Sequence, residues 1–230
     1  MQKAACAERL EVSFLKIFDF DGTLIDSNGI WVQVDLDFLT LRGKIPTQEY
    51  TEFVAHAIFP TAAQFTKDYY ALSESPAEIM SSWLELARDA YANHAPVKEG
   101  VFPYLEQCRE QGESFVLFTA SVPELCYLAL KRHGLDSYFQ QVVFAQELEL
   151  EKRNPEAFTA LCTQLDIDPS QCIMFDDAPK NCSAARAAGL RVVGVYDDFF
   201  ADVEAEVRAN SDRYIRSFSE LLSPSCNKLI

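Results

Sequence analysis

The sequence is short of basic charge: 20 lysines and arginines stand against 35 aspartates and glutamates, a formal net charge of -15 over 230 residues. Nucleic-acid backbones and anionic membrane surfaces are bound through clustered cations, so this balance argues against both as partners. It leaves room for a small anionic ligand, because one local cation can invert the field inside a cleft. The chain also lacks a CxxC pair. Its seven cysteines (Cys6, Cys108, Cys126, Cys162, Cys172, Cys182 and Cys226) are odd in number and scattered, and they read as buried thiols of a reduced compartment. No run approaches the ~20 apolar residues of a membrane span. The opening MQKAACAERLEVSF has no apolar secretory segment, so a soluble, cytoplasmic protein is expected. Repeats and low-complexity tracts are missing, and His94 and His133 have no spacing that suggests a metal site or a nucleophile.

What is present is a composition 49% hydrophobic, enough for a full core. Strand-like apolar runs cover Phe14 to Phe20, Phe115 to Phe118, Val142 to Ala145, Cys172 to Phe175 and Arg191 to Tyr196, with a weaker one at Tyr214 to Ile215. Helical patterns lie between the later runs, over Val101 to Gln111, Pro123 to His133, Pro155 to Leu165 and Ser183 to Ala188. Such alternation predicts an α/β fold with a doubly wound, parallel, Rossmann-like sheet. Gly112, Gly134 and Gly189 each follow a helical pattern, as helix stops do. One segment breaks the alternation. IWVQVDLDFLTL and PAEIMSSWLELARDAYA space their apolar residues for helices. The expected organisation is therefore a discontinuous α/β domain, residues 1–26 and 98–230, with a helical insert over residues 27–97.

Several strand ends carry polar groups of a particular kind. FDFDGTLID ends an apolar run in Asp19 and Asp21, two carboxylates on one side of an extended chain. FVLFTAS ends in Thr119; Ser121 and Glu124 have the spacing of a capping box for the next helix, which leaves Thr119 for another task. ELELEKRNPEAF places Lys152 just before a helix start. CIMFDDAPKNCSAARAAG ends its strand in Asp176 and Asp177. Read singly, these are a turn, a helix cap and a solvated charge run. In an open parallel sheet, however, ligands bind beyond the carboxyl ends of the strands, and there acids, a hydroxyl and an ammonium would meet. That set suits phosphoryl transfer with Mg²⁺: oxygen ligands for a hard cation, donors for phosphate oxygens and a carboxylate to attack.

FDFDGTLIDS, FVLFTAS, EKRNPEAF and IMFDDAPKNCSAARAAG, in that order, resemble the four motifs of the haloacid dehalogenase superfamily. The resemblance is to the phosphatase branch with a helical cap inserted after the first motif, β-phosphoglucomutase and phosphoglycolate phosphatase among them. It covers the core; the insert matches in position and helical character alone. It implies a small-molecule phosphate monoester as substrate, Asp19 as the nucleophile that becomes an aspartyl phosphate, and Asp21 as general acid and then base. It implies Mg²⁺ held by Asp19, the main-chain carbonyl of Asp21 and Asp177, with Asp176 acting through water. Thr119 and main-chain NH groups around Phe20, Gly22 and Ala120 would bind phosphoryl oxygens, and Lys152 would face both Asp19 and phosphate.

Asp21 and the paired Asp176 and Asp177 count against the dehalogenase branch. A phosphomutase of the β-phosphoglucomutase type and a noncatalytic phospho-ligand module stay open as alternatives. Arg153 stands where the third motif often has proline, and Asn181 where the fourth often has an acid. Within the insert, Trp31, Arg42, His56, Tyr69 and Tyr70 are the polar and aromatic candidates for contact with the leaving group, His56 first among them. The ester itself and the oligomeric state are not written in the chain.

Overall fold

The computed structural model describes residues 14–55 and 57–222. LKIF, FVLFT, QVVF, CIMFD and RVVGV form the strands β1 (Leu15–Phe18), β2 (Phe115–Thr119), β3 (Gln141–Phe144), β4 (Cys172–Asp176) and β5 (Arg191–Val195); β6 (Arg213–Ile215) closes one edge. These apolar, largely buried runs are what a parallel sheet covered on both faces requires. The sheet is wholly parallel in the order β3-β2-β1-β4-β5-β6. The chain therefore builds outward from β1 to one side, then returns to continue from β4 on the other. That reversal opens a crevice at the carboxyl ends of β1 and β4.

Strand alternation divides the core. Phe18, Phe115, Leu117, Phe175 and Val193 face one side, under α5 (Val101–Glu110) and α6 (Pro123–His133). Ile17, Val116, Phe118, Met174 and Val192 face the other, under α7 (Pro155–Gln164), α8 (Pro179–Ala187) and α9 (Glu204–Ala209). Phe18 and Phe175 stack at 4.5 Å between adjacent strands, both fully buried, each burial stabilising the fold by roughly 1.5–3 kcal/mol.

Between β1 and α5 come α1 (Asn28–Thr40), α2 (Gln48–Val54), α3 (Phe59–Tyr70) and α4 (Pro76–Asn93). Their shared interior is aromatic: Phe38, Tyr50, Trp83 and Tyr91 are buried among them. Ser75 starts α4 with a capping box to Glu78, and Pro76 presets the first turn. The chain enters and leaves this helical layer side by side. Ile25 pairs antiparallel with Val97, Asp26 N–H donates to Pro96 O (2.9 Å), and Lys98 N–H donates to Leu24 O (2.9 Å). Further links are the Arg88–Glu124 ion pair and the Arg153 guanidinium 5.3 Å from the Phe53 ring centroid. The residue that departs from the motif thus ties a core loop to α2.

Local expectations need correction in three places. β1 stops at Phe18 and not Phe20, because the chain turns out of the sheet once Asp19 N–H has bonded to Phe175 O (2.9 Å). α8 begins at Pro179, four residues before the expected Ser183, proline being suited to a first helical turn. The Ser121–Glu124 capping box does not form. Val122 is the N-cap of α6, Glu124 is drawn off to Arg88, and Ser121 N–H donates to Thr119 Oγ1 (2.9 Å). Cys108, Cys126, Cys162, Cys172 and Cys182 are free and buried as expected; Cys6 and Cys226 lie outside the described residues. No helix among the described residues is long and apolar enough to cross a membrane.

Candidate active site

The crevice gathers the strand-end groups. Lys152, 2% exposed, donates to Asp19 Oδ1 (2.5 Å) and to Asp176 Oδ2 (2.7 Å). Asp176 also accepts from Ala178 N–H (3.0 Å) and from Asn181 Nδ2 (3.2 and 3.3 Å). Asn181 at the motif's altered position therefore steadies a carboxylate. Asp177 accepts from Thr23 Oγ1 (2.8 Å) and Asn28 Nδ2 (2.9 Å). Gly22, at φ +77°, makes this approach possible: a Cβ there would lie 2.2 Å from Asp177 Oδ2 and 2.1 Å from Asn28 Nδ2.

A carboxylate oxygen from each of Asp19, Asp176 and Asp177 lies within 4.8 Å of the others, and all three residues are buried. Burial is the largest cause raising the Asp19 carboxyl to about 7; the Lys152 ammonium opposes it and Asp176 adds to it. Burial likewise holds Asp177 well above the usual carboxylate range, reinforced by Asp176, Asp19 and Asp197 and opposed by Lys98. The Lys152 ammonium, between two carboxylates, is raised despite its own burial and stays charged. The cluster is an excess of buried negative charge with oxygen donors only, and a hard divalent cation such as Mg²⁺ fits it.

Asp21 sits apart from that cluster, under the helical layer. Its Oδ1 accepts from Ser27 Oγ (2.6 Å) and from Tyr91 OH of α4, and Tyr91 OH in turn accepts from Trp31 Nε1 (2.6 Å). Burial raises its pKa, against the lowering effect of the Ser27, Tyr91 and Ser121 hydroxyls. Ser121 Oγ has no partner at hydrogen-bond geometry among the described residues, although its dipole favours the Asp21 carboxylate. Thr119 accepts the Ser121 amide proton, which leaves its own O–H to donate elsewhere.

Asp19, Asp21, Thr119, Ala120 and Asp177 line one cavity of about 280 Å³, while Lys152 and Asp176 lie just beneath. One expected phosphate contact has another local duty: Gly22 N–H donates to Ile25 O (2.8 Å), closing its own turn. Of the insert candidates, Trp31 lines the cavity. Arg42 instead pairs with Glu74 and lies 3.6 Å over the Phe38 ring. Tyr69 bonds Thr47, and Tyr70 donates to Ile45 O. His56 lies outside the described residues.

Sequence reasoning missed Asn28, Lys98, Tyr91 and Asp197. Asp197 follows β5 and is 5% exposed; it accepts from Asn28 Nδ2 (3.0 Å) and Lys98 Nζ (2.9 Å). Lys98 also donates to Gly22 O (2.6 Å) and Tyr196 O (2.5 Å), joining the chain's return from the helices to the site's first turn. The strand-end rule that singled out Asp19 and Asp176 would have found Asp197. Lys98 and Tyr91 have no such signal, since one sits in a connection and the other reads as helix core.

A parallel sheet with acids at its switch point and a buried lysine between them defines an α/β protein with an acidic cluster at its strand ends. The sequence pattern of the haloacid dehalogenase-like hydrolases matches residues 16–195, and the chain belongs to that family. It is 24% identical over 210 residues to the pyrophosphatase PpaX of Bacillus pumilus, covering 90% of this chain and 94% of that protein. It is 25% identical over 225 residues to the validoxylamine A 7'-phosphate phosphatase of Streptomyces hygroscopicus subsp. limoneus, at 90% and 95% coverage. Among solved structures, CbbY from Rhodobacter sphaeroides in complex with phosphate superposes with TM-score 0.79 at 18% identity, covering 94% of this chain and all of that one. β-Phosphoglucomutase from Clostridium difficile gives 0.76 at 17%, over 94% and 96%. These likenesses concern the fold.

Proposed function

We propose that the protein is a Mg²⁺-dependent phosphatase that hydrolyses a small-molecule phosphate monoester through a phosphorylated Asp19. Family membership and the phosphatase names of its relatives support hydrolysis of phosphate. The observation that carries the mechanism is the buried juxtaposition of Asp19, Asp176, Asp177 and Lys152 at one end of a cavity. Asp19, Asp177 and the Asp21 carbonyl would hold the ion, with Asp176 adding its charge nearby. Bound there, Mg²⁺ supplies positive charge against the carboxylates and the phosphoryl oxygens.

Asp19 attacks phosphorus, and the bond from phosphorus to the ester oxygen breaks. Asp21 gives its proton to that leaving oxygen. Its raised pKa suits the task, since an acid must still hold a proton near neutral pH. A water molecule then attacks the aspartyl phosphate, Asp21 takes the proton back, inorganic phosphate leaves and the Asp19 carboxylate is restored. Lys152 holds Asp19 in place and offsets charge as it develops. The Thr119 hydroxyl and the Ala120 amide would bind phosphoryl oxygens. Helices α1 to α4 act as a cap over this chemistry. Through Tyr91 and Ser27 they hold the acid Asp21, so that closure and acid placement are coupled.

The test is phosphate release from p-nitrophenyl phosphate with Mg²⁺ and with EDTA, together with acid-quench mass spectrometry for a phosphoryl adduct on Asp19. Metal-dependent release with the adduct is expected. Turnover in EDTA, or an adduct on another residue, refutes the mechanism. Inorganic phosphate as product, in place of an isomerised sugar phosphate, separates hydrolysis from phosphomutase action.

A further inference from the structure

The far wall of the cavity carries information about the leaving group that the phosphate end does not. From α1, Trp31, Val32 and Leu36 line it; Phe59 closes it from α3, and Phe199 and Phe200 face in from the loop after β5. Val32 and Leu36 are 47% and 43% exposed, apolar groups open to the space a substrate would fill. Beyond the strand-end acids, Asp35 is the charged side chain among the described residues lining this wall. It is held by Tyr50 OH (3.0 Å) and is half-buried. Trp83 backs the wall, 3% exposed, its ring packed against Phe38 and Phe59.

A half-buried carboxylate in the wall repels a second anionic group and accepts from a hydroxyl. From this wall, and resting on the phosphatase reading above, we propose that the leaving group is a neutral, largely apolar alcohol bearing hydroxyl groups, with no second phosphate or carboxylate. Its apolar body packs on Trp31, Val32, Leu36 and Phe59, its hydroxyls donate to Asp35, and leaving groups that carry a second anion are turned away. Pyrophosphate and sugar bisphosphates are thereby poor substrates, whatever the fold's relatives act on.

The experiment compares kcat/KM for para-hydroxymethylphenyl phosphate and para-carboxyphenyl phosphate, matched in size, with pyrophosphate and a sugar bisphosphate, all with Mg²⁺. The neutral ester is expected to exceed each anionic substrate by at least about tenfold, the scale set by one like-charge contact in a half-buried site. Asp35→Asn should narrow that ratio severalfold, and so should Val32→Lys, whose exposed position keeps the fold safe if the first variant is poorly folded. Equal or better turnover of the anionic substrates overturns the proposed class and leaves the phosphatase standing. An unchanged ratio in both charge variants overturns it as well. Failure to release phosphate from any of the four sinks the phosphatase and this inference together.

Discussion

The floor and the roof of the cavity are built on opposite principles. The floor concentrates Asp19, Asp176 and Asp177 around Lys152, every one of them buried. The roof is made of Trp31, Val32, Leu36 and Phe59, with Asp35 as its described charge. A protein core seldom tolerates unbalanced ionised groups, so the floor costs stability that the stacked aromatics beneath and beside it must offset. The roof costs little and can vary in sequence without disturbing the sheet. On the proposed function, the difference divides specificity: charge geometry would select phosphate, and apolar shape what the phosphate is attached to.

Substitution of the nucleophile should separate the two regions most sharply. Asp19→Asn is expected to lower kcat by more than about a thousandfold. Its thermal stability in EDTA should equal or exceed that of the wild type, because one buried acid is neutralised; residual activity within tenfold of wild type would remove Asp19 from the mechanism. Lys152→Met removes the cation shared by Asp19 and Asp176. A loss of about 3–5 kcal/mol in urea unfolding without metal is expected, and a loss below about 1 kcal/mol would mean that the floor is less tightly coupled than its distances suggest.

Chelation should act on the floor alone. Holding Mg²⁺ at a hundred times its dissociation constant should stabilise the protein by about 2.7 kcal/mol, read as a shift in Tm. The shift should be absent in Asp177→Asn if that residue is a ligand. Tyr91→Phe cuts the one described hydroxyl bond from α4 to Asp21. It should lower kcat about tenfold with KM little changed, whereas a pure KM effect would place Tyr91 in substrate binding.

The smallest effect belongs to the roof. Burial raises the Asp35 carboxyl from its ordinary 3.8 to about 6, against the lowering bond from Tyr50. The folded state then holds a proton that the unfolded state has released, so stability falls as pH rises from about 4 to about 6 and is flat above. Asp35→Asn should therefore be the more stable protein above pH 6, by about 1 kcal/mol once the carboxyl's partial water contact is allowed for. The gap should close below pH 4. A gap that widens toward acid would reverse the sign and deny the burial.

Much of this site could be read in advance because its residues announce themselves at strand ends. Asp19, Thr119, Asp176 and Asp177 each follow an apolar run, and a parallel sheet sends all such ends to one edge. Ser121 misled because its spacing to Glu124 satisfies a local rule, while Arg88, distant in sequence, took the glutamate. Asn28, Lys98 and Tyr91 were illegible for the same reason. Each acts on a partner at least seventy residues away, namely Asp177, Gly22 and Asp21.

The sequence by itself determined the alternation of strands and helices, the side of the sheet on which the acids collect, and the helical nature of the insert, since each follows from local periodicity. Tertiary structure alone decided which acid meets which cation, that Asp21 is held from the helical layer, and that the roof is apolar around Asp35. Those outcomes depend on how two stretches of chain approach one another in space, and the packing of the whole core sets that approach.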